Sequence, residues 1–379
     1  MKTIIIERDL EKIIQKYSNF GKVIIIYGAR QVGKTTIIQK ILKGKKNILH
    51  LNCDNPTIAS SLSDTNLNEL KLIIGNHKYV FIDEAQRVKN IGISLKLIHD
   101  NMKEVNLFVS GSSSLELANK INEPLTGRKF ELRLSPFSMS ELYHSDGYLN
   151  LKSNLNHHIV YGLYPEIVTN PQLAQTNLIN LTSSYLYKDV FEFQKIRKPE
   201  IIIKLLKALA LQIGSEVSFN ELARLIGVSK DTIATYIQLL EQAFVIYRIP
   251  SFSKNLRTEL RNSRKVYFWD TGIRNALINN FNPIDERPDR GALWENFVIN
   301  EIIKRNQNTD KIAEYYFWRT TRQQEVDFIV DTDNSLFAYE MKWNSTKKAK
   351  FPKPFVNNYP NAKVEIIKPS NFLEFILKD

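Results

Sequence analysis

A run of apolar residues, Val23 to Tyr27, enters Gly28-Ala-Arg-Gln-Val-Gly33-Lys34-Thr35, and few short stretches restrict a fold as tightly. The stretch fits the phosphate-loop pattern GxxxxGK[ST] at every specified position. Gly28 and Gly33 let the backbone turn so closely that successive N–H groups face inward on phosphate oxygens. Lys34 brings a mobile charge to the outer phosphates and Thr35 a hydroxyl for Mg²⁺. The helix that opens at TTIIQKILK aims the positive end of its dipole at the same anion. With Ala29, Arg30, Gln31, Val32 and Thr36 completing the loop, the direct reading is a nucleoside triphosphate site. A chance Gly-Lys-Thr turn would not bring strand, loop and helix in this order.

At 379 residues the chain exceeds what one hydrophobic core usually organises, so two or three domains are expected. A formal net charge of +12 suggests an acidic partner such as nucleic acid, although proteins that touch none can be equally basic. Cys53 is the only cysteine, which excludes an intramolecular disulfide and a Cys-based zinc site. The opening MKTIIIERDLEK is too charged for a signal peptide, and no segment approaches the roughly 18 apolar residues of a membrane span. A cytoplasmic protein without a membrane partner is expected.

Residues 7 to 17 read as an amphipathic helix, with Leu10, Ile13, Ile14 and Tyr17 at helical spacing. A strand around Asn47 to Leu51 follows. Asp54, before Asn-Pro, is either an acidic turn residue or a group oriented near the nucleotide. The segment KYVFIDEAQ then describes a buried strand that delivers Asp83 to Mg²⁺, with Glu84 placed to polarise the attacking water or, more plainly, to end the strand as a solvated charge. A further strand, Asn106 to Ser110, ends in Gly111 and Ser112. Ser112 either senses the terminal phosphate at the carboxyl edge of the sheet or caps the next helix. Arg128, before the strand Lys129 to Leu134, either pairs with a γ-phosphate in cis or in trans or faces solvent.

Together GARQVGKTT, VFIDEAQR, SGSSS and LTGRKFELRLSPFSMSEL resemble the prokaryotic, archaeal-type branch of the AAA-family P-loop ATPases. The resemblance implies a parallel sheet with an extra strand between the two nucleotide motifs. It also implies nucleotide on Gly33, Lys34 and Thr35, Mg²⁺ on Asp83, catalysis by Glu84, and a C-terminal nuclease-like domain.

Residues 141 to 215 read as a helical connector broken at Tyr161-Gly-Leu-Tyr-Pro165, in which Ser184 to Val190 resembles the connector of the same family. His157 and His158 lack a ligand pattern and read as solvated or core histidines. Ser218-Phe-Asn-Glu221 is a capping box, Gly227 a turn and Ser229 a second cap, with a helix to Gln242 and a β-like run from Phe244 to Ile249. That order predicts a winged helix-turn-helix whose wing carries Lys254, Arg257, Arg261, Arg264 and Lys265. Phosphate contact, protein docking and covering the nucleotide site are all open to it.

In the last third, a helix from Gly291 to Glu301 carries Glu295, and Tyr315 to Arg319 reads as a strand. A hairpin then pairs Glu325–Val330 with Leu336–Lys342. Alternate strand residues share a face, so Glu340 and Lys342 point the same way and the hairpin brings Asp327 beside them. Such carboxylates with a lysine suit a Mg²⁺ that activates water against a phosphodiester. The pattern resembles the restriction-endonuclease-like core written PD-(D/E)xK. The resemblance puts Glu295, Asp327 and Glu340 on metal and Lys342 on water or phosphate. Glu325-Val stands before Asp327 where the pattern has proline. A strand and a terminal helix close the chain.

The sequence therefore predicts an α/β protein with a P-loop ATPase domain (1–140), a helical connector (141–215), a winged helix (216–265) and a restriction-endonuclease-like domain (266–379). ATP and Mg²⁺ are the expected cofactors. The expected activity is ATP hydrolysis coupled to a nuclease-like domain acting on DNA. The rival reading is a nucleotide-regulated switch or scaffold whose C-terminal domain binds protein and cuts nothing.

Overall fold

The computed structural model describes residues 6–112, 121, 124–192, 199–252, 264–344 and 350–378, with backbone only at 184–192 and 199. Ser113, Ser114, Lys254, Arg257 and Arg261, and the side chains of Ser184 to Val190, lie outside the described residues. The chain divides into two compact units. One is Glu7–Pro136 with Gln242–Phe244; the other is chiefly Phe137–Glu241 and Val245–Asp379. The segments expected as connector, winged helix and nuclease-like domain thus share one unit almost entirely.

The first unit holds α1 (Leu10–Ser18), β1 (Val23–Tyr27), α2 (Lys34–Leu42), β2 (Ile48–Asn52), α3 (Pro56–Ser61), α4 (Leu67–Ile74), β3 (Tyr79–Asp83), α5 (Ile91–Asn101), β4 (Asn106–Gly111) and β5 (Lys129–Arg133). Its strands form one parallel sheet in the order β2-β3-β4-β1-β5, so β4 does lie between the phosphate-loop strand and the strand ending in Asp83. Every residue of β1 is buried, which suits a strand covered on both faces. Leu10, Ile13 and Ile14 form the buried face of α1, and Tyr17 stacks on Phe130 with ring centroids 4.1 Å apart.

The second unit begins with α6 (Met139–Ser153), α7 (Leu155–Tyr161), α8 (Pro165–Thr169), α9 (Ala174–Glu192) and α10 (Pro199–Leu211). The break after Tyr161 has a steric cause. Gly162 has φ +74°, and a Cβ there would stand 2.0 Å from Asp270 Oδ1. Asp270 is buried because it accepts from the Leu163 N–H at 2.8 Å and caps α13 (Thr271–Leu277) through the Ile273 N–H at 3.1 Å. Between these segments, α11 (Phe219–Ile226), a left-handed Gly227 and α12 (Lys230–Gln242) lead into β6 (Ile246–Pro250), which pairs antiparallel with β7 (Arg264–Phe268).

The remaining elements are α14 (Arg290–Asn308), β8 (Glu314–Arg319), β9 (Glu325–Thr332), β10 (Ser335–Met341), α15 (Lys353–Asn358), β11 (Lys363–Ile367) and α16 (Phe372–Ile376). The sheet order is β11-β10-β9-β8, antiparallel except where α15 carries the chain across to β11 beside β10. Thr332 pairs with Ser335, so the hairpin turns on Asp333 and Asn334. Trp318, Val326, Ile329, Ala338 and Phe355 form a core on one side of this sheet. Among the described residues no helix is long and apolar enough to cross a membrane.

Candidate nucleotide site and candidate metal centre

The phosphate loop is fixed from both sides. A Cβ on Gly28 would lie 2.2 Å from the Leu134 carbonyl oxygen, so only glycine lets the loop leave β1 beside the end of β5. Gly33 has φ +97°, a left-handed conformation that other residues adopt at a cost, and it turns the chain into α2. Arg8, buried just ahead of α1, donates to the carbonyls of Val32 at 2.8 Å and Ser135 at 2.6 Å, tying the loop to the end of β5. The Lys34 ammonium donates to the carbonyls of Gly28 and Ala29 at 3.0 and 2.8 Å and so stands over the loop.

At the carboxyl edge of β3, Asp83 accepts from Thr35 Oγ1 at 2.7 Å and from Ser110 Oγ. A carboxylate and a hydroxyl in contact are hard oxygen donors that fit Mg²⁺, and these two would hold it next to a triphosphate. Glu84 follows with left-handed φ 54°, which swings its side chain away from the strand direction. Its carboxylate accepts from Gln86 Nε2 at 2.5 Å, and the same nitrogen donates to Ser112 Oγ at 3.0 Å. His50 Nε2 lies 3.7 Å from Asp83, its ring stacked on Phe81. Burial, with Asp83 nearby, pushes the Cys53 thiol up to about 12, so this cysteine is a packing residue and not a reactive thiol.

The alternatives left open for two residues narrow here. Asp54 turns outward to an ion pair with Arg87 Nε at 2.6 Å. Arg128 precedes β5, whose Lys129 pairs with Val23 at the start of β1, so it lies at the amino edge of the sheet. The phosphate loop leaves the opposite edge, and the Arg128 guanidinium is held by Asp100 at 2.8 Å. Arg128 therefore does not reach the nucleotide of its own chain.

In the second unit the hairpin brings Asp327 and Glu340 together as expected. The Met341 N–H donates to Asp327 Oδ2 at 2.8 Å, and the Lys342 ammonium stands 3.4 Å from Asp327 and 2.6 Å from Glu340. A monocation thus bridges the two carboxylates, whose hard oxygens are of the kind that bind Mg²⁺. Burial, followed by the charge of Asp327, raises the Glu340 carboxyl above its ordinary value.

Glu295 departs from the expectation. Lys265, expected on the wing, with phosphate contact as one of its open roles, is 3% exposed and pairs with Glu295 at 3.1 Å and with Glu325. Tyr267, two residues on and on the same face of β7, donates to the same Glu295 oxygen at 2.5 Å. Burial raises the Glu295 carboxyl despite that lysine, with Asp327 adding repulsion. Among the described residues no group of three or more His, Cys, Asp or Glu side chains is drawn together closely enough to hold a metal. The three carboxylates expected on one metal are thus divided between partners: Lys265 and Tyr267 of β7 hold Glu295, while Asp327 and Glu340 share Lys342. His158 is a buried core histidine, pushed down to about 4 by burial and then by His157.

Sequence reasoning missed Arg8, Gln86, Ser110, Lys265 and Tyr267 as members of these sites. For the last two a signal existed, since Lys265 and Tyr267 alternate through the apolar strand KVYF.

A parallel sheet with β4 inserted between β1 and β3, carrying a phosphate loop opposite an Asp-Glu pair, has the arrangement of a P-loop nucleotide-binding domain. In agreement, residues 21–143 match an AAA domain family. Residues 152–283 match a domain of unknown function (DUF8612), and residues 290–373 match another (DUF4143). Uncharacterized protein MJ1544 of Methanocaldococcus jannaschii is 26% identical over 391 residues, which cover 96% of this chain and 84% of that protein. Uncharacterized protein Rv2008c of Mycobacterium tuberculosis is 26% identical over 350 residues, covering 90% and 75%. The Walker-type ATPase PABY2304 of Pyrococcus abyssi shares the fold at 14% identity with a TM-score of 0.50, covering 72% of this chain and 96% of that one. The C-terminal match names no activity, so the chemistry of that region rests on its residues.

Proposed function

We propose that this AAA-type ATPase hydrolyses ATP with Mg²⁺ held by Thr35 and Asp83, and that its nucleotide state governs a Mg²⁺-dependent, nuclease-like site acting on DNA. In this reading Glu84 activates the attacking water and Ser112 senses the terminal phosphate. The helix-turn-helix of α11 and α12, with the β6–β7 pair, serves as a winged helix, and Arg128 is left only a role in trans. The observation that carries the DNA-directed half is the bridging of Asp327 and Glu340 by one cationic group on adjacent strands. Two carboxylates so placed suit a Mg²⁺ that activates water, with Lys342 released to a phosphate oxygen. The basic composition of the chain is in keeping with a polyanionic substrate.

The test is cleavage of single-stranded, duplex and branched DNA with Mg²⁺, with and without ATP, by the full chain and by Asp327→Asn and Glu340→Gln. Cutting that disappears in both variants while ATP hydrolysis persists supports the reading. No cutting by the parent chain on any of these substrates refutes it. One observation favours the rival scaffold reading: Glu295, Asp327 and Glu340 already have lysine partners, Lys265 and Lys342. Salt-insensitive binding of a protein, with no DNA binding, is the result that reading requires.

A further inference from the structure

Gln86 lies just past the Asp-Glu pair, is 6% exposed, and has its amide nitrogen between two groups of the hydrolytic site. That nitrogen carries two hydrogens and no lone pair to offer, so it is a donor to both neighbours. One hydrogen goes to Glu84 Oε2 at 2.5 Å, the other to Ser112 Oγ at 3.0 Å. The reverse orientation of the amide would set its carbonyl oxygen against a carboxylate, so the acceptor itself fixes which way the group faces.

The polarity has a consequence at each end. The Ser112 oxygen accepts from Gln86, which leaves its own proton to donate. Ser112 follows β4 at the carboxyl edge of the sheet, where its hydroxyl has a terminal phosphate oxygen as the natural acceptor in the reading above. Glu84 has one oxygen fixed by Gln86, and among the described residues its other oxygen accepts no hydrogen bond. Its backbone is fixed as well, because the Glu84 N–H donates to Ser110 Oγ at 3.3 Å and Ser110 in turn donates to Asp83.

We propose that Gln86 is the positioning residue of ATP hydrolysis, holding the Glu84 carboxylate in its working orientation and linking it to the phosphate-facing hydroxyl of Ser112. The inference rests on the assignment of Glu84 and Ser112 in the ATPase reading. When a phosphate oxygen accepts from Ser112, the donor chain running through Gln86 is polarised in one direction. Glu84 is then held for water attack when the terminal phosphate is in place. Because Gln86 acts through Glu84 and Ser112, its loss affects turnover and leaves binding in place.

The experiment measures steady-state ATP hydrolysis and equilibrium binding of a fluorescent ATP analogue by the full chain, Gln86→Ala, Gln86→Glu, Ser112→Ala and the Gln86→Ala/Ser112→Ala double variant. Gln86→Ala is expected to lower kcat about tenfold or more with analogue affinity within about twofold, the division that marks a group acting only on the chemical step. Gln86→Glu is expected to be slower still, since it turns a carboxylate toward Glu84. The double variant is expected to lose less than the product of the two single losses, because both changes break one chain. Retained analogue binding establishes that each variant is folded at the site. A kcat for Gln86→Ala within about twofold of the parent overturns the proposal, as does a double variant whose losses multiply. Glu84→Gln separates the two levels: if it hydrolyses ATP normally, the ATPase assignment fails. If it is inactive while Gln86→Ala is normal, only the role of Gln86 fails.

Discussion

Lys265→Met is the most informative perturbation of the second unit. Lys265 is almost fully buried and lies 3.1 Å from Glu295, also largely buried, with Glu325 on its other side. At that distance and an effective dielectric of about 20, the attraction to Glu295 is about 5 kcal/mol before desolvation is counted. Removing the ammonium leaves Glu295 beside Asp327 with only the Tyr267 hydroxyl, and stranding one partner of a buried pair costs about 3–5 kcal/mol. If the cost comes from the stranded charge, a second change cancels it. Lys265→Met/Glu295→Gln keeps the acceptor for Tyr267 and should return to within about 1 kcal/mol of the parent. The measurement is urea unfolding followed by tryptophan fluorescence, which is selective because Trp269, Trp294, Trp318 and Trp343 are all of the tryptophans and all lie in the second unit. With an m-value of about 3 kcal/mol/M, a loss of about 4 kcal/mol lowers the midpoint by about 1.3 M. A single-variant loss under about 1 kcal/mol, or a double variant no better than the single, would refute the reasoning.

Three further outcomes are expected. Gly28→Ala forces a backbone shift at the Leu134 carbonyl, costing about 1–3 kcal/mol, and weakens nucleotide binding in an equilibrium titration; unchanged affinity would contradict the close approach. Lys34→Ala abolishes ATP turnover in a phosphate-release assay, and a parent-like rate would remove the claim that this ammonium engages the triphosphate. His158 has a folded value of about 4, below the ordinary value of about 6.5 in the unfolded chain, so its contribution is full above pH 6.5. As the pH falls through the window from 6.5 toward 4, up to about 3 kcal/mol of stability is lost. His158→Gln should lessen that slope in denaturation at pH 7 and pH 5, and an unaltered slope counts against the burial argument.

The first unit was legible because its motifs are contiguous. Glycines, lysine and threonine must follow one another for a loop to wrap a phosphate, and Asp83 must end an apolar strand to sit beside them. What such motifs cannot encode is which distant side chain completes the site. Arg8 joins the phosphate loop only because α1 packs beside β1, and nothing in its local sequence requires that. Arg128 stayed open between two readings for a related reason. Its neighbourhood reads as site-like until the parallel register shows which edge of the sheet it occupies. Lys265 shows how composition misleads, since a basic residue at the end of a basic stretch suggested a surface. The strand alternation that also presents Tyr267 puts it inside instead. The hairpin carrying Asp327 and Glu340 was readable from period-two patterning and a polar turn. The partner of Glu295 was not, because it arrives from a separate pair of strands.

That last circumstance bears on how the region is inherited. Glu295, Glu325 and Asp327 fall within one matched domain, residues 290–373, whereas Lys265 and Tyr267 belong to the stretch matched separately, residues 152–283. The later stretch cannot travel between genes as a free-standing cassette without stranding an internal acid. A recombination joint placed near residue 285 would have to bring a substitute cation with it, or neutralise Glu295 in the same step.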